Sequence, residues 1–181
     1  FKGQAQTPTC YFLLQKRQTD NKIAIFDDIY KTYMDYTLTG SSIPLVGISV
    51  VNRVKRYADT YGRLNVIKTS LPSSHNKLSY TQDKQHTYKN IKTTTLQGLQ
   101  PSPVLEFSTK PCAYNGEKKL ILAHKMYGFP YYDKNGIYGI SNRDNYVILG
   151  YDNDEFLKIQ QFLNSDLVMY LYETTRYRMK Y

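Results

Sequence analysis

The chain has 181 residues, a formal net charge of +9 and 41% hydrophobic residues. That is one domain, or one and a half, with enough apolar and aromatic content for a core, which excludes a disordered tail. No run approaches the roughly eighteen consecutive apolar residues of a membrane-spanning helix, and no signal peptide is visible.

The placement of charge says more than its sum. From Arg53 to Lys110 ten Lys/Arg stand against three Asp/Glu, whereas from Glu117 to Glu173 six stand against eight. A concentrated basic middle suits a polyanion such as nucleic acid, and the plain alternative is a solvated basic surface. Lysine (17), tyrosine (19), isoleucine (12) and asparagine (11) are used heavily, against 7 arginines. All four have A/T-rich codons, so the tyrosine count by itself reads as a genome effect. Cys10 and Cys112 read as free thiols, and with His75, His86 and His124 they lack zinc-ligand spacing. The chain begins with Phe1 rather than Met and reads as a piece of a larger protein.

In chain order, residues 9–15 read as a strand, and 22–26 as a second strand pairing back on it as a hairpin. Asp27-Asp28 then opens a helix through Ile29, Tyr30, Tyr33 and Met34, with the aspartates as N-terminal caps. An Asp-Asp pair also suits a divalent metal, although a nuclease centre needs further carboxylates. Ser42-Ile43-Pro44 predicts the start of a helix running from Leu45 to about Tyr61, stopped by Gly62. Its apolar stripe is Val46, Val50, Val54 and Tyr57. Residues 66–71 read as a strand, and the polar stretch 72–90 as a long loop or extended hairpin facing nucleic acid. Residues 91–99 and 104–107 read as strands separated by a loop, Gln97 to Pro103.

Residues 118–125 read as a buried strand, 137–140 and 146–149 as two shorter ones, and Asn135-Gly136 as a tight turn. A helix over 154–162 and a second to about Arg178 are separated by Leu163-Asn164-Ser165-Asp166. Asn164 is expected to end the first in a left-handed conformation, and Ser165 or Asp166 to cap the second. The fold class is α+β, a small mixed or antiparallel sheet with flanking helices and a C-terminal helix–turn–helix pair. The chain divides into an N-terminal hairpin and helix segment (1–42), a basic part (43–116) and a core (117–181).

The order in that last third is strand, glycine- and aromatic-rich loop, Asp-x-x-Gly-x-Tyr hairpin, strand, then helix–Leu-Asn-Ser–helix. It is carried by Lys119 to Ala123, Asp133, Gly136, Ile137-Tyr138, Tyr146-Val147-Ile148, Phe162-Leu163-Asn164-Ser165 and Leu167. It resembles the C-terminal, TaqI-like target-recognition domains of N6-adenine DNA methyltransferases and type II restriction-modification enzymes. The resemblance implies double-stranded DNA as partner and a methyltransferase catalytic domain in the same or another chain. It also implies S-adenosylmethionine as cofactor of the parent enzyme and an intracellular location with DNA. The family's Asn/Asp-Pro-Pro-Tyr/Phe motif is missing, Gly128-Phe129-Pro130-Tyr131-Tyr132 being the nearest string. No glycine-rich cofactor loop is present either. Methyl-transfer chemistry and its cofactor are therefore expected outside this chain.

What remains is recognition, in which phosphate contacts set affinity and a few base contacts set sequence. The phosphate candidates are Arg53, Lys55, Arg56, Arg63, Lys68, Lys77, Lys84, Lys89 and Lys92. The base-reading candidates are Lys125, Tyr127, Asn142 and Arg143, since Lys and Arg match guanine O6/N7 and Asn matches adenine N6/N7. Asn142 could equally stabilise its own turn, and Arg143 could pair with Asp144. Two rival readings are a metal-dependent nuclease using Asp27, Asp28 and Lys31, and a protein-interaction module with an incidental basic surface.

Overall fold

The structure is a computed structural model that describes residues 13, 14, 16, 18, 20–27, 29–40, 43, 44, 46–124 and 128–175. It is mixed α+β, with three sheets and three helices among the described residues. The chain forms two compact units, one from residues 1–63 and 170–181, the other from Leu64 to Met169. The boundary at Arg63 divides the basic segment 43–116 between the two.

In the first unit, β1 (Lys22–Asp27) and β2 (Thr32–Thr37) form an antiparallel hairpin. The helix expected from Asp27 onward is thus a turn and a strand. The reason lies in the Asp27 side chain, which is buried and accepts the N–H groups of Ile29 and Tyr30 at 2.9 and 3.0 Å. That closes a turn rather than a helix. β1 pairs with β2, and most of 9–15, its expected partner, lies outside the described residues.

Helix α1 (Ile48–Tyr61) starts later than Pro44 suggested. Its N-cap is Gly47 in a left-handed conformation, φ 64°, and the cap makes no side-chain bond. Asp27 supplies the missing acceptor from 22 residues away, taking the Ser49 N–H and hydroxyl on its second oxygen, both at 3.0 Å. An added Cβ on Gly47 would meet the Tyr170 hydroxyl at 2.0 Å, so a larger residue there must displace that ring. Gly62 ends α1 as anticipated, donating its N–H to Ala58. The buried face is not the predicted stripe: Ile48 and Val51 are buried, while Tyr57 is 54% exposed.

The second unit contains two four-stranded sheets. One has the order β3 (Ile67–Lys68), β10 (Asn145–Ile148), β7 (Lys119–Ala123), β8 (Tyr131–Asp133), all antiparallel. The other has the order β4 (Leu78–Ser79), β6 (Gln100–Ser108), β5 (Tyr88–Gln97), β9 (Gly139–Ile140), in which β5 and β9 run parallel. Ile91, Ile121, Ile140 and Val147 form a buried cluster, covered by Leu105, Tyr131, Tyr138 and neighbours. All five residues of β7 are buried, which explains why its sequence is a continuous run rather than an alternation.

The loop predicted over 97–103 is instead a tight turn at Gly98-Leu99 followed directly by β6. Pro101 and Pro103 are tolerated because β4 pairs only with Phe107 and Ser108, leaving residues 100–105 as an edge. Helix α2 (Asn153–Leu163) opens with a complete capping box: Asp152 accepts the Glu155 N–H, and Glu155 accepts the Asp152 N–H. It packs the fully buried Phe156 against Tyr132 and Tyr151, at centroid distances of 5.2 and 5.8 Å. Asn164 does not take the expected left-handed conformation; its φ is −89° and ψ 0°. Helix α3 (Asp166–Thr175) follows, and Ser165 precedes it with its hydroxyl buried and without a hydrogen-bond partner, so that side chain is not the predicted cap. Residues 176–181 lie outside the described residues.

Candidate nucleic-acid interface

The centre of the second unit is a buried ion pair. Lys119 Nζ lies 2.7 Å from Asp133 Oδ2, with side chains 0% and 2% exposed. The ammonium also donates to the carbonyls of Tyr114 and Glu117, at 2.9 and 2.8 Å. Asp133 in turn accepts the N–H groups of Ile137 and Tyr138, both at 3.0 Å. Gly136, between them, has φ 66°, and its carbonyl accepts the Gly116 N–H at 2.8 Å. The Asp-x-x-Gly-x-Tyr string therefore has a physical content: Asp133 holds the turn, Gly136 permits it, and Lys119 neutralises the buried carboxylate. Burial pulls the Lys119 ammonium below the usual lysine range, with Asp133 acting against that shift. These groups are saturated by protein partners, so their role is to fix β7 and β8 to the segments 114–117 and 133–138.

A second clamp sets the turn that carries Asn142 and Arg143. The Thr69 hydroxyl donates to the Asn142 carbonyl at 2.6 Å, and the Thr69 N–H to the Asn145 carbonyl at 3.0 Å. The Asn145 amide donates to the Lys92 carbonyl at 3.0 Å. These bonds bring Lys68, next to Thr69, alongside the 142–145 turn. The Asn142 side chain accepts the Asp144 N–H at 3.3 Å, the turn-stabilising arrangement anticipated as an alternative. Arg143 is exposed and makes no ion pair with Asp144 or any other carboxylate among the described residues.

Lys92 is differently placed. It is the extra residue of a β-bulge in β5, which re-aims its side chain. Its ammonium lies 2.8 Å from both Glu106 Oε1 and the Tyr80 hydroxyl, and 4.6 Å from the centre of the Tyr80 ring. Ser141 donates to the other Glu106 oxygen at 2.8 Å. The Glu106 and Tyr80 oxygens raise the Lys92 pKa. Lys92 thus neutralises a buried carboxylate and positions the strand beneath the Asn142 turn. Lys77 and Lys89 flank the end of β6, the Lys77 carbonyl accepting the Thr109 N–H and Lys89 pairing with Phe107. Lys84 is exposed on the loop between β4 and β5, where Asp83 gathers the N–H groups of Gln85 and His86. Those bonds, the His86 N–H first, hold the Asp83 carboxyl down to about 2. Lys125 and Tyr127 lie outside the described residues.

Arg53, Lys55, Arg56 and Arg63 belong to the first unit. The last turn of α1 contains no basic residue, so the helix dipole does not account for them. Arg63 pairs with Asp59 at 2.9 Å on an exposed surface. Lys55 donates to the Tyr36 hydroxyl and lies 4.3 Å over that ring. Arg53 and Arg56 are exposed and unpaired among the described residues. They line a groove of about 1120 Å³ together with Asn52, Tyr36 and Tyr30. They also border a smaller hollow with Tyr57 and Tyr61, whose rings are stacked 6.1 Å apart.

The tyrosines were missed as site residues for a definite reason. Tyr57 was placed on the apolar stripe, and tyrosine abundance was attributed to codon bias. The available signal was the i, i+4 spacing of Tyr57 and Tyr61 on the same face as Arg53 and Arg56. Asp27 also proved to have another role. Both its oxygens are occupied by protein donors, and no group of three His, Cys, Asp or Glu that could hold a metal is present among the described residues. No helix among the described residues is long and apolar enough to cross a membrane. Comparisons of the chain with family models, with curated proteins and with solved structures find no match.

Proposed function

We propose that the Leu64–Met169 unit binds double-stranded DNA sequence-specifically, as the target-recognition part of an adenine methyltransferase or restriction-modification enzyme. Methyl transfer from S-adenosylmethionine would reside in a separate catalytic domain. The observation that carries this reading is the clamped turn at 142–145. It projects an unpaired Arg143 beside Lys68, on a backbone fixed by Thr69 and Asn145. A base-reading group needs a rigid support, because an Arg or Asn recognises a base edge only in a fixed orientation. The acidic side chains that would oppose a phosphate backbone at the core of this unit, Asp133 and Glu106, are neutralised internally by Lys119 and Lys92.

In this reading Lys68, Lys77, Lys84 and Lys89 contact phosphates, and Arg143, Asn142, Lys125 and Tyr127 address base edges. Helices α2 and α3 act as a helix–turn–helix brace. A nuclease centre on Asp27 is disfavoured because its oxygens already accept four protein donors. The test is fluorescence anisotropy on a randomised duplex pool at 50 and 200 mM salt. Salt-sensitive binding with enrichment of a short sequence is expected. Absence of duplex binding at the lower salt defeats the reading.

A further inference from the structure

The groove of the first unit has a chemistry that a duplex does not use. Its basic wall is one face of α1: Ser49, Asn52, Arg53 and Arg56 line it, and the same face continues into Tyr57, Thr60 and Tyr61. These positions recur at three- and four-residue spacing, so they form a continuous stripe about three turns long. Two guanidinium groups on it are exposed and unpaired among the described residues. Beside them the stacked rings of Tyr57 and Tyr61 lie 19° from parallel and are 54% and 81% exposed. Tyr30, at the opposite wall, is 66% exposed. Asp35 is the acidic residue lining the groove, against Arg53, Lys55 and Arg56.

Exposed tyrosine rings cost hydration unless something covers them. A duplex cannot cover them well, since its bases already stack on one another and present only edges and phosphates. An unpaired strand presents phosphates and base faces together, at the spacing of a few ångströms that alternating cations and rings can follow. Cationic grooves lined with aromatic side chains are the usual platform for single strands.

We propose that this groove is a binding site for a single-stranded nucleic-acid segment. Arg53 and Arg56 hold its phosphates, and Tyr57 and Tyr61 stack on its bases. The site belongs to the first unit, and its proposal does not rest on the duplex reading of the other.

The test uses the full chain and a fluorescein-labelled twelve-nucleotide oligo(dT), read by anisotropy at 50 mM salt. An abasic strand of the same length and a duplex serve as comparison ligands. Expected results are saturable binding of oligo(dT), at least tenfold weaker binding of the abasic strand, and at least tenfold loss in Tyr57→Ala/Tyr61→Ala. Tyr57→Phe/Tyr61→Phe keeps the rings and should retain binding within about twofold, which separates stacking from folding damage. Arg53→Ala/Arg56→Ala should make the salt slope of single-strand binding shallower by about 1.4, two phosphates at about 0.7 each. No binding of oligo(dT), equal binding of the abasic strand, or an unchanged affinity in Tyr57→Ala/Tyr61→Ala overturns the proposal. Duplex binding that survives in that variant while oligo(dT) binding is lost separates this site from the duplex reading.

Discussion

Two buried charges organise the molecule residue by residue, and both looked ordinary in the sequence. Lys119 opens an apolar run and invited reading as a strand flank, yet it is fully buried on Asp133. Nothing within five residues of Lys119 predicts this, because its partner lies fourteen positions away. Breaking such a pair from one side strands a charge, at a cost of about 3–5 kcal/mol. Lys119→Met should lower stability by that order in urea unfolding. Lys119→Met/Asp133→Asn should recover part of it, because the amide oxygen still accepts the Ile137 or Tyr138 N–H without carrying a charge. Asp27 makes the second case. Its carboxyl is held below the ordinary 3.8, first by the Ser49 N–H, with burial opposing. A depressed folded-state pKa gives stability that is complete above the unfolded value and lost as pH falls through the folded one. The thermal midpoint of the wild type should therefore drop between about pH 5 and pH 2 more steeply than that of Asp27→Asn. Parallel curves for the two proteins would show that Asp27 does not anchor α1.

The strands and helices divide into those that local pattern determined and those that distant partners determined. Strand β7, helix α2 and the turn at Gly136 were legible, because a continuous apolar run, apolar residues at helical spacing and an Asn-Gly pair each act locally. The hairpin β1–β2 was not, since a helix cap and a turn cap use the same aspartate. Strand β6 was read as half loop, because prolines argue against a strand until its edge position is known. The orientation of α1 was rotated, because Val46, Val50 and Tyr57 also satisfy helical spacing. Glycine geometry offers a test at this scale. Gly98 and Gly136 both have left-handed φ, 63° and 66°. A Cβ on Gly98 meets nothing within 4 Å, whereas on Gly136 it meets the Gly116 and Glu117 backbone at 2.8–2.9 Å. Gly98→Ala should cost about 1–2 kcal/mol for the conformation alone. Gly136→Ala should cost more by about 1 kcal/mol or above, because backbone cannot swing aside as a side chain can. Equal losses in urea unfolding would show that the 116–117 segment yields.

Across the whole molecule, the run of cations from Arg53 to Lys110 is shared between two compact units, the first taking residues up to Arg63 and the second those from Leu64. The first unit carries twelve Lys/Arg against six Asp/Glu, the second twelve against nine. The higher excess thus lies in the unit that contains α1, whose helix pattern was legible, while the turn holding Arg143 depends on Thr69, more than seventy residues earlier. Within the second unit, position and environment assign the candidates different tasks, and binding measurements can separate them. Lys68 is exposed on an edge strand, and the proposed reading gives it a phosphate contact that any sequence allows. Lys68→Ala should weaken duplex binding equally for all sequences and make the salt slope shallower by about 1. The proposed reading has Arg143 address a base edge, so Arg143→Ala should cost about 1–3 kcal/mol on the preferred site and little on others, flattening selection at one position. Lys92 is held by Glu106 and Tyr80. Lys92→Met should chiefly lower stability through the unpaired Glu106, and its effect on selectivity should follow loss of the Asn142 turn. Selection from a randomised duplex pool for the three variants distinguishes these outcomes. A uniform loss in Arg143→Ala, indistinguishable from that of Lys68→Ala, would reduce the clamped turn to a phosphate contact and leave sequence reading to the other base-reading candidates, Lys125 and Tyr127.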